Sequence, residues 1–473
     1  MGIAGLIKLL IAVFGFGILV FFHEFGHFIM GRLFKMKVEK FSIGMGPAIF
    51  GFNWIGTYFQ ISAIPLGGFC KFKGDEITDD ASIARDPDSF YGVHPAKRIM
   101  VALFGPFMNY LIAIIFLMIL AMSPHEELLL PNKIMVADDL PSYNKNEPTQ
   151  AKLGGLKSGD RIIQIDNKKI SSFDEITRYI NIPAFGDFLK TAYKNKKEPY
   201  KIKIDRNGEI KELIIQPKWD PETLRYILGI GIYIDPIVEN RKQSKLNLTL
   251  GLKDKDRIVG IDSDTDNISA VKINDFIDSN ISTNKKAFLK IKRDNKIIDI
   301  PVIFNEINNK VSKEELFITF QYKMHEIKAK NIFDAFVKGF NDSNDIIKIS
   351  AIGLHSLVFK PKKNIKNQIG GPLRVGKIIG ESTFEAFEEG TKSGLRAFFS
   401  IISLISLSLA FFNLLPIPAL DGGHILFNII ELIRRKPISI KTMNIINTVF
   451  FLLLMLLMIF VIAFIDIPDF FKK

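Results

Sequence analysis

The stretch Val20-Phe21-Phe22-His23-Glu24-Phe25-Gly26-His27-Phe28-Ile29-Met30 sets the pattern His-Glu-x-x-His inside an apolar run. On a helix, residues four apart share a face, so His23 and His27 can offer two imidazole nitrogens to one metal ion while Glu24 stands beside them. That arrangement suits zinc hydrolysis: two histidine ligands, and a carboxylate that takes a proton from water whose pKa the metal has lowered to about 7. Upstream, Leu9 to Phe22 carries no charge, and apolar residues resume at Phe28, giving roughly the 20 residues that a bilayer helix needs. A Glu and two His at that depth are costly, and ionisable groups in hydrocarbon are a functional signal by default. The competing reading makes the histidines polar glue between helices. A third ligand decides between the two.

Working outward, the chain has 473 residues, too many for one ordinary core, so two or more domains are expected. Hydrophobic residues make up 48% and charged residues 24%, which describes membrane spans joined to a polar soluble part. The net charge of +12 fits either nucleic acid or an anionic membrane surface. Lys and Arg are scattered among Ile and Asn, which favours membrane lipid as the partner and no nucleic acid. The single cysteine, Cys70, excludes an internal disulfide. The N-terminus has the look of a signal peptide, with Lys8 and a long apolar stretch, but no small-residue cleavage site follows. It reads as a retained span.

Four stretches are apolar enough to span: Leu9 to Met30, Ile99 to Met122, Ala397 to Leu415 and Ile445 to Ile465. The loop after the first carries Arg32, Lys35, Lys37, Lys40, Lys97 and Arg98, and the loop after the third carries Arg434, Arg435, Lys436 and Lys441. The positive-inside rule puts both loops in the cytoplasm. Both termini and the long segment from Ser123 to Arg396 then lie outside. The His-Glu-x-x-His motif falls near the cytoplasmic end of its helix, where water can reach it.

Between the first two spans, Tyr58-Phe59-Gln60-Ile61-Ser62-Ala63-Ile64-Pro65-Leu66-Gly67-Gly68-Phe69 has strand character, and Phe41 to Pro47 is a candidate partner. An apolar hairpin beside a membrane site can offer a free edge to an extended peptide, or simply connect two helices. The external segment contains a repeat: Gly155-Leu156-Lys157-Ser158-Gly159-Asp160-Arg161-Ile162-Ile163-Gln164-Ile165 recurs as Gly251-Leu252-Lys253-Asp254-Lys255-Asp256-Arg257-Ile258-Val259-Gly260-Ile261. Each copy is followed by a helical stretch and a strand pair, turned at Asn207-Gly208 and at Asp294-Asn295. The pattern resembles the PDZ domain, in which a peptide terminus adds as a strand. Lys255 stands where the first copy has Gly159, so the second turn is expected to be less regular. Beyond the repeats, Phe333, Phe336, Val337, Phe340, Ile346 and Ile347 recur at helical spacing. That helix suits a membrane surface or a packing face on the second module.

The end of the third span reads Phe412-Asn413-Leu414-Leu415-Pro416-Ile417-Pro418-Ala419-Leu420-Asp421-Gly422-Gly423-His424. Two prolines spaced by one residue stop a helix, and broken backbone at membrane depth must be buried or line a cavity. The Asp421 carboxylate can complete a two-His, one-carboxylate zinc site with a position left for water. His424 is a rival ligand, although its place beyond Gly422-Gly423 better fits a supporting or capping role. Asn413 can hydrogen-bond a substrate backbone or a neighbouring helix.

Taken together, the chain resembles the site-2 proteases of the bacterial RseP type, intramembrane zinc metalloproteases. The motifs that carry the resemblance are His23-Glu24-Phe25-Gly26-His27, Ile64-Pro65-Leu66-Gly67-Gly68, Gly105-Pro106-Phe107-Met108-Asn109, the two PDZ-like modules, and Asn413 to His424, in that family's order. The resemblance implies that His23, His27 and Asp421 bind Zn2+ and that Glu24 is the general base. It also implies that Asn413 and the hairpin, with Ile64, Gly67 and Gly68, hold the substrate extended while the PDZ-like modules filter substrates by size. The implied substrates are transmembrane segments, as in anti-sigma factors, or leftover signal peptides.

The expected architecture is a polytopic α-helical membrane protein with four transmembrane helices, a membrane-associated β-hairpin and two tandem PDZ-like α+β domains outside. Its parts are residues 1–122 with the first two spans, 123–220 and 221–310 with the PDZ-like domains, 311–395 with an amphipathic helix and linker, and 396–473 with the last two spans and the third ligand. A different class, a non-catalytic membrane scaffold that binds envelope peptides, shares the repeats but has no use for an intact His-Glu-x-x-His and Asp421. A transporter with a broken third helix explains Asn413 to Asp421 but neither Glu24 nor the repeats.

Overall fold

A computed structural model describes residues 2–75, 86–128, 130–143, 147–181, 198–220, 225–239, 244–283, 285–304, 307, 311, 317–321, 324–359, 370–436 and 438–468. They form two compact units, Met1–Pro124 with Lys328–Lys473, and His125–Ile327. Part of the first module (182–197) and part of the linker (360–369) expected from the sequence lie outside the described residues.

The helices of the first unit, in chain order, are α1 (Ile3–Leu33), α2 (Pro95–Met122), α3 (Ile332–Phe359), α4 (Pro372–Glu389), α5 (Thr391–Asn413), α6 (Asp421–Arg434) and α7 (Ile440–Val461). Among the described residues four helical segments are long and apolar enough to cross a membrane: Ile3–Leu33, Pro95–Met122, Thr391–Asn413 and Ile445–Asp466. They coincide with the four stretches read from the sequence. On α1 the buried residues Ala12, Gly15, Leu19, His23, Gly26, His27 and Met30 recur every three or four positions, so the His-Glu-x-x-His motif lies on the face turned into the protein. Gly26 lets α2 approach at backbone distance, because a Cβ there would run into the Phe104 carbonyl.

Helix α3 packs along α2 through Ala335, Gly339 and Ser343. Ala335 and Ser343 are fully buried, and a Cβ on Gly339 would sit 3.1 Å from the Ile114 carbonyl. Small residues four apart are what close helix packing in lipid requires. Phe333, Phe336, Val337 and Phe340, the periodic apolar residues of the sequence, are exposed instead. The last span is the least buried of the four, and a polar clamp ties its end to α4. The buried Asp466 carboxylate accepts hydrogen bonds from the backbone N–H groups of Gly371 (2.8 Å), Leu373 (3.1 Å) and Arg374 (3.3 Å). These are first-turn donors of α4 that have no helical partner.

Strands β1 (Val38–Trp54) and β2 (Thr57–Phe72) form one antiparallel hairpin. β1 bends back on itself, so that Phe41 pairs with Phe59 on one side and Cys70 on the other, while Phe50 pairs with Ile61 further out. The bend uses left-handed glycines, among them Gly44 at φ +88°, where a Cβ would lie 2.7 Å from the Ile64 carbonyl. Residues 68–72 of β2 thereby become an edge segment, paired with β1 on one side. The far end of the hairpin exposes Ile49, Phe50, Phe52, Trp54 and Ile55.

In the second unit the two sequence repeats each form a turn, a strand and a strand pair. Arg161–Ile165, Tyr200–Arg206 and Glu209–Ile215 lie in a four-stranded antiparallel sheet with Lys168–Lys169 at its edge. Arg257–Ile261, Lys286–Arg293 and Lys296–Ile303 form a three-stranded one. A helix covers each core, Phe173–Asn181 through Ile176 and Ile180, and Ala270–Asn280 through Ile273 and Ile277. The same clamp closes both turns: Arg206 holds Asp160 at 2.7 and 2.8 Å, and Arg293 holds Asp256 at 2.7 and 2.6 Å. Burial pushes the Asp256 carboxyl up, but the Arg293 bonds and the Lys253 N–H outweigh it and hold it below its ordinary value.

The second turn is as regular as the first, contrary to what Lys255 suggests, because Lys255 adopts the left-handed conformation of Gly159, at φ +67° against +98°. A non-glycine residue there costs about 1–2 kcal/mol, partly offset by the roughly 0.5–1 kcal/mol of entropy that glycine loses on folding. Lys255→Gly is therefore expected to raise the melting temperature of this unit by about 2 °C in calorimetry of the solubilised chain.

Candidate metal centre

Three elements bring the site together. α1 supplies His23, Glu24 and His27, the start of α6 supplies Asp421, and α2 lies against the histidine rings. Between α5 and α6 the backbone is non-helical over Leu414–Leu420, as Pro416 and Pro418 demand. Ala419 takes a left-handed φ of +73° in that break, a strained value that its surroundings must maintain. Gly422 and Gly423 let α6 begin directly beneath it, since a Cβ on Gly422 would strike the Leu415 carbonyl and one on Gly423 would lie 2.5 Å from that of Ile417.

The ligand geometry is compact. His23 Nε2 and His27 Nε2 are 3.3 Å apart, His23 Nε2 is 3.1 Å from Asp421 Oδ2, and His27 Nε2 is 3.5 Å from Asp421 Oδ1. Tetrahedral nitrogen and oxygen ligands about 2.0–2.1 Å from one ion stand about 3.3 Å from each other. The chemistry of the donor set agrees. His27 Nδ1 donates to the Val101 carbonyl at 2.8 Å, so its Nε2 presents a lone pair to the other two groups. Asp421 Oδ2 is buried, with His23 Nε2 3.1 Å away. Two imidazole nitrogens, one of them presenting its lone pair, and a carboxylate converging on one point fit a cation. His23, His27 and Asp421 are also the one group of three or more such side chains among the described residues whose ligand atoms meet closely enough to hold an ion.

Gly105 on α2 makes room for this. A Cβ at that position would enter the His27 ring at Cε1 and Nε2 and lie 3.1 Å from His23 Cε1. A cavity of about 590 Å³ opens onto the site, lined by His23, Glu24, His27, Asp421 and His424 and by the β2 edge segment 68–72. Glu24 accepts a hydrogen bond from the backbone N–H of Cys70, and a Cβ on Gly68 would come within 3.2 Å of Glu24 Cγ. The strand edge therefore passes directly over the carboxylate.

Of the residues singled out from the sequence, His23, Glu24, His27, Asp421 and Gly68 line this cavity, as does His424. Asn413 is not among the lining residues, but its Nδ2 lies 3.4 Å from His23 Nε2. Ile64 and Gly67 lie in the hairpin bend beside Met45 and do not line the cavity. Asn109 and Val101 touch the two imidazoles from behind, and pattern reading gave neither a role. Their signal is position: Val101, Gly105 and Asn109 are spaced by four and share one face of α2.

Comparison with known proteins agrees with this geometry. The sequence model of Peptidase family M50 matches residues 11–457. A protein of Treponema pallidum is 27% identical over 441 residues, covering 92% of this chain and 93% of that protein. Relatives in Clostridium acetobutylicum and Clostridium perfringens are 26% and 28% identical over 454 and 453 residues, with 96% of each chain covered. All three bear the name "putative zinc metalloprotease".

The close approach of α2 supplies a test. Gly105→Ala forces the His27 ring aside, and the purified variant is expected to keep less than about a tenth of the native divalent metal after dialysis, read by atomic absorption. Gly17→Ala, whose added Cβ would meet nothing within 4 Å, is expected to leave the metal content unchanged.

Proposed function

The chain belongs to peptidase family M50, and from that premise we infer that it is an intramembrane zinc metalloprotease of the site-2 type, with His23, His27 and Asp421 as the zinc ligands and Glu24 as the general base. The observation that carries this reading is the convergence of His23 Nε2, His27 Nε2 and Asp421 within 3.1–3.5 Å of one another, beside Glu24. When bound, zinc supplies a Lewis acid and lowers the pKa of water to about 7. Glu24 takes the proton from the attacking water and passes it to the leaving amine.

The substrate is a transmembrane segment, whose carbonyls are all hydrogen-bonded within their own helix. It must unwind before hydrolysis. The edge segment 68–72 of β2 replaces the lost hydrogen bonds by adding the substrate as a further strand, which leaves no backbone group unpaired. What supports this is the position of the edge, over Glu24 and open to the cavity. Asn413, beside His23, is suited to hold a substrate carbonyl next to the metal. Gly68 gives the strand room, and Ile64 and Gly67 contribute through the shape of the bend.

The protein is a membrane protein. By its loop charges the cytoplasm holds the basic loops, the motif lies towards the cytoplasmic face of the inner membrane, and residues 123–310 lie outside as two PDZ-like modules that filter substrates by size. The exposed apolar end of the hairpin, with Phe50, Phe52 and Trp54, then lies in lipid at no cost. Substrates of this class include anti-sigma factors and signal-peptide remnants.

Glu24→Gln tests the reaction. The variant keeps the three ligand side chains and removes the base, so cleavage of a transmembrane reporter in proteoliposomes is expected to fall by a factor of about 10²–10⁴ with zinc content unchanged. Undiminished cleavage by a zinc-loaded Glu24→Gln chain contradicts the assignment.

A further inference from the structure

Asn109 has no part in the reaction as described, yet it occupies the one polar contact behind His23. It is fully buried in the middle of α2. Its Nδ2 lies 3.3 Å from His23 Nδ1, while its Oδ1 is buried with no hydrogen-bond partner. A buried amide group left unpaired costs about 1–3 kcal/mol, and turning the side chain over only exchanges which end of the amide is unpaired, so its orientation follows the tautomer of the His23 ring.

The two orientations of this amide correspond to the two tautomers of His23. With Nδ2 towards the ring, the amide donates to a lone pair on Nδ1, and the ring proton sits on Nε2, facing Asp421 Oδ2 at 3.1 Å. That arrangement satisfies the site without a cation. With Oδ1 towards the ring, Nδ1–H donates to the amide oxygen, Nδ2 takes the place that Oδ1 left, and Nε2 offers its lone pair to the same point as His27 Nε2. His27 is already fixed in the corresponding state by the Val101 carbonyl. Both imidazoles then point their protons at α2 and their lone pairs at one ion.

We propose that Asn109 is a positioning residue for the metal centre, whose side-chain oxygen holds His23 in the zinc-binding tautomer and whose half-turn lets the same amide accommodate the metal-free site. The proposal rests on the zinc reading given above. The bond that ties this residue to α5, from Ser406 Oγ at 2.8 Å, goes to its backbone carbonyl, which leaves the side chain to the His23 ring.

The test is zinc affinity of the full-length, detergent-solubilised chain, measured by competition with a chromophoric chelator, with the visible spectrum of the Co2+-substituted protein as a second readout. Asn109→Leu removes the acceptor at similar volume and is expected to weaken zinc about 10–100-fold and to shift the cobalt bands. Asn109→Asp keeps an oxygen that can only accept, and is expected to bind zinc at least as tightly as the native chain, with native cobalt bands. Ser406→Ala is expected to leave both unchanged. Native affinity in Asn109→Leu overturns the proposal, and so does a loss in Asn109→Asp as large as in Asn109→Leu. A loss in Ser406→Ala equal to that in Asn109→Leu assigns the effect to helix packing and also overturns it. A native chain that binds no zinc removes the zinc reading itself, whereas a native chain that binds zinc beside an unaffected Asn109→Leu removes the role of Asn109 alone.

Discussion

Two imidazole nitrogens and a carboxylate converge within 3.1–3.5 Å of one another in a low-dielectric interior, an arrangement that needs a shared proton or a metal cation among them. The rest of the first unit is arranged around that constraint. α1 brings two of the ligands on one face, and the third comes from a residue 394 positions beyond His27 (421 − 27). A site assembled across that separation exists only if α1, α2 and the α5–α6 break are held in register. Glycines at the contacts provide this: Gly26 and Gly105 where α1 meets α2, and Gly422 and Gly423 where α6 meets the break. At Gly105 a Cβ would enter the His27 ring, and at the other three it would strike a backbone carbonyl of the neighbouring segment.

The role proposed for the hairpin answers the complementary problem. A helix in hydrocarbon keeps its backbone groups internally bonded, so a hydrolytic centre in the membrane needs a surface that can take over those bonds. β1 and β2 supply a strand edge over Glu24 because left-handed glycines fold β1 back and leave residues 68–72 paired on one side. The polar clamp of Asp466 on the first turn of α4 follows the same economy. A carboxylate buried in an apolar unit is tolerated because it answers several unpaired N–H groups at once.

Much of this is legible in the sequence, for identifiable reasons. Charge-free runs fix the four spans, the i, i+4 spacing fixes His23 and His27, and Pro416 and Pro418 announce the break that delivers Asp421. Helix α3 is where periodicity alone leaves two readings open. Its periodic Phe333, Phe336 and Phe340 suit a membrane surface or a packing face, and the structure leaves them exposed while the packed face is the small one, Ala335, Gly339 and Ser343. Lys255 misleads for another reason, since a repeat can keep its turn by bearing strain that the Asp256–Arg293 clamp offsets. The register of the hairpin depends on bulges near Gly44 and Gly46, which a pattern of apolar residues does not specify, and so the sequence could not separate Gly68 in the cavity from Ile64 and Gly67 in the bend. Asn109 and Val101 act from behind the ligands, where only coordinates reveal a partner.

The central claim is that one metal ion joins α1 to the start of α6, and zinc content of the purified chain addresses it most directly. The account predicts about one zinc per native chain and its loss in both His27→Ala and Asp421→Ala, with each variant still folded by circular dichroism. Zinc retained at the native level in Asp421→Ala, or absent from a folded native chain, would contradict it.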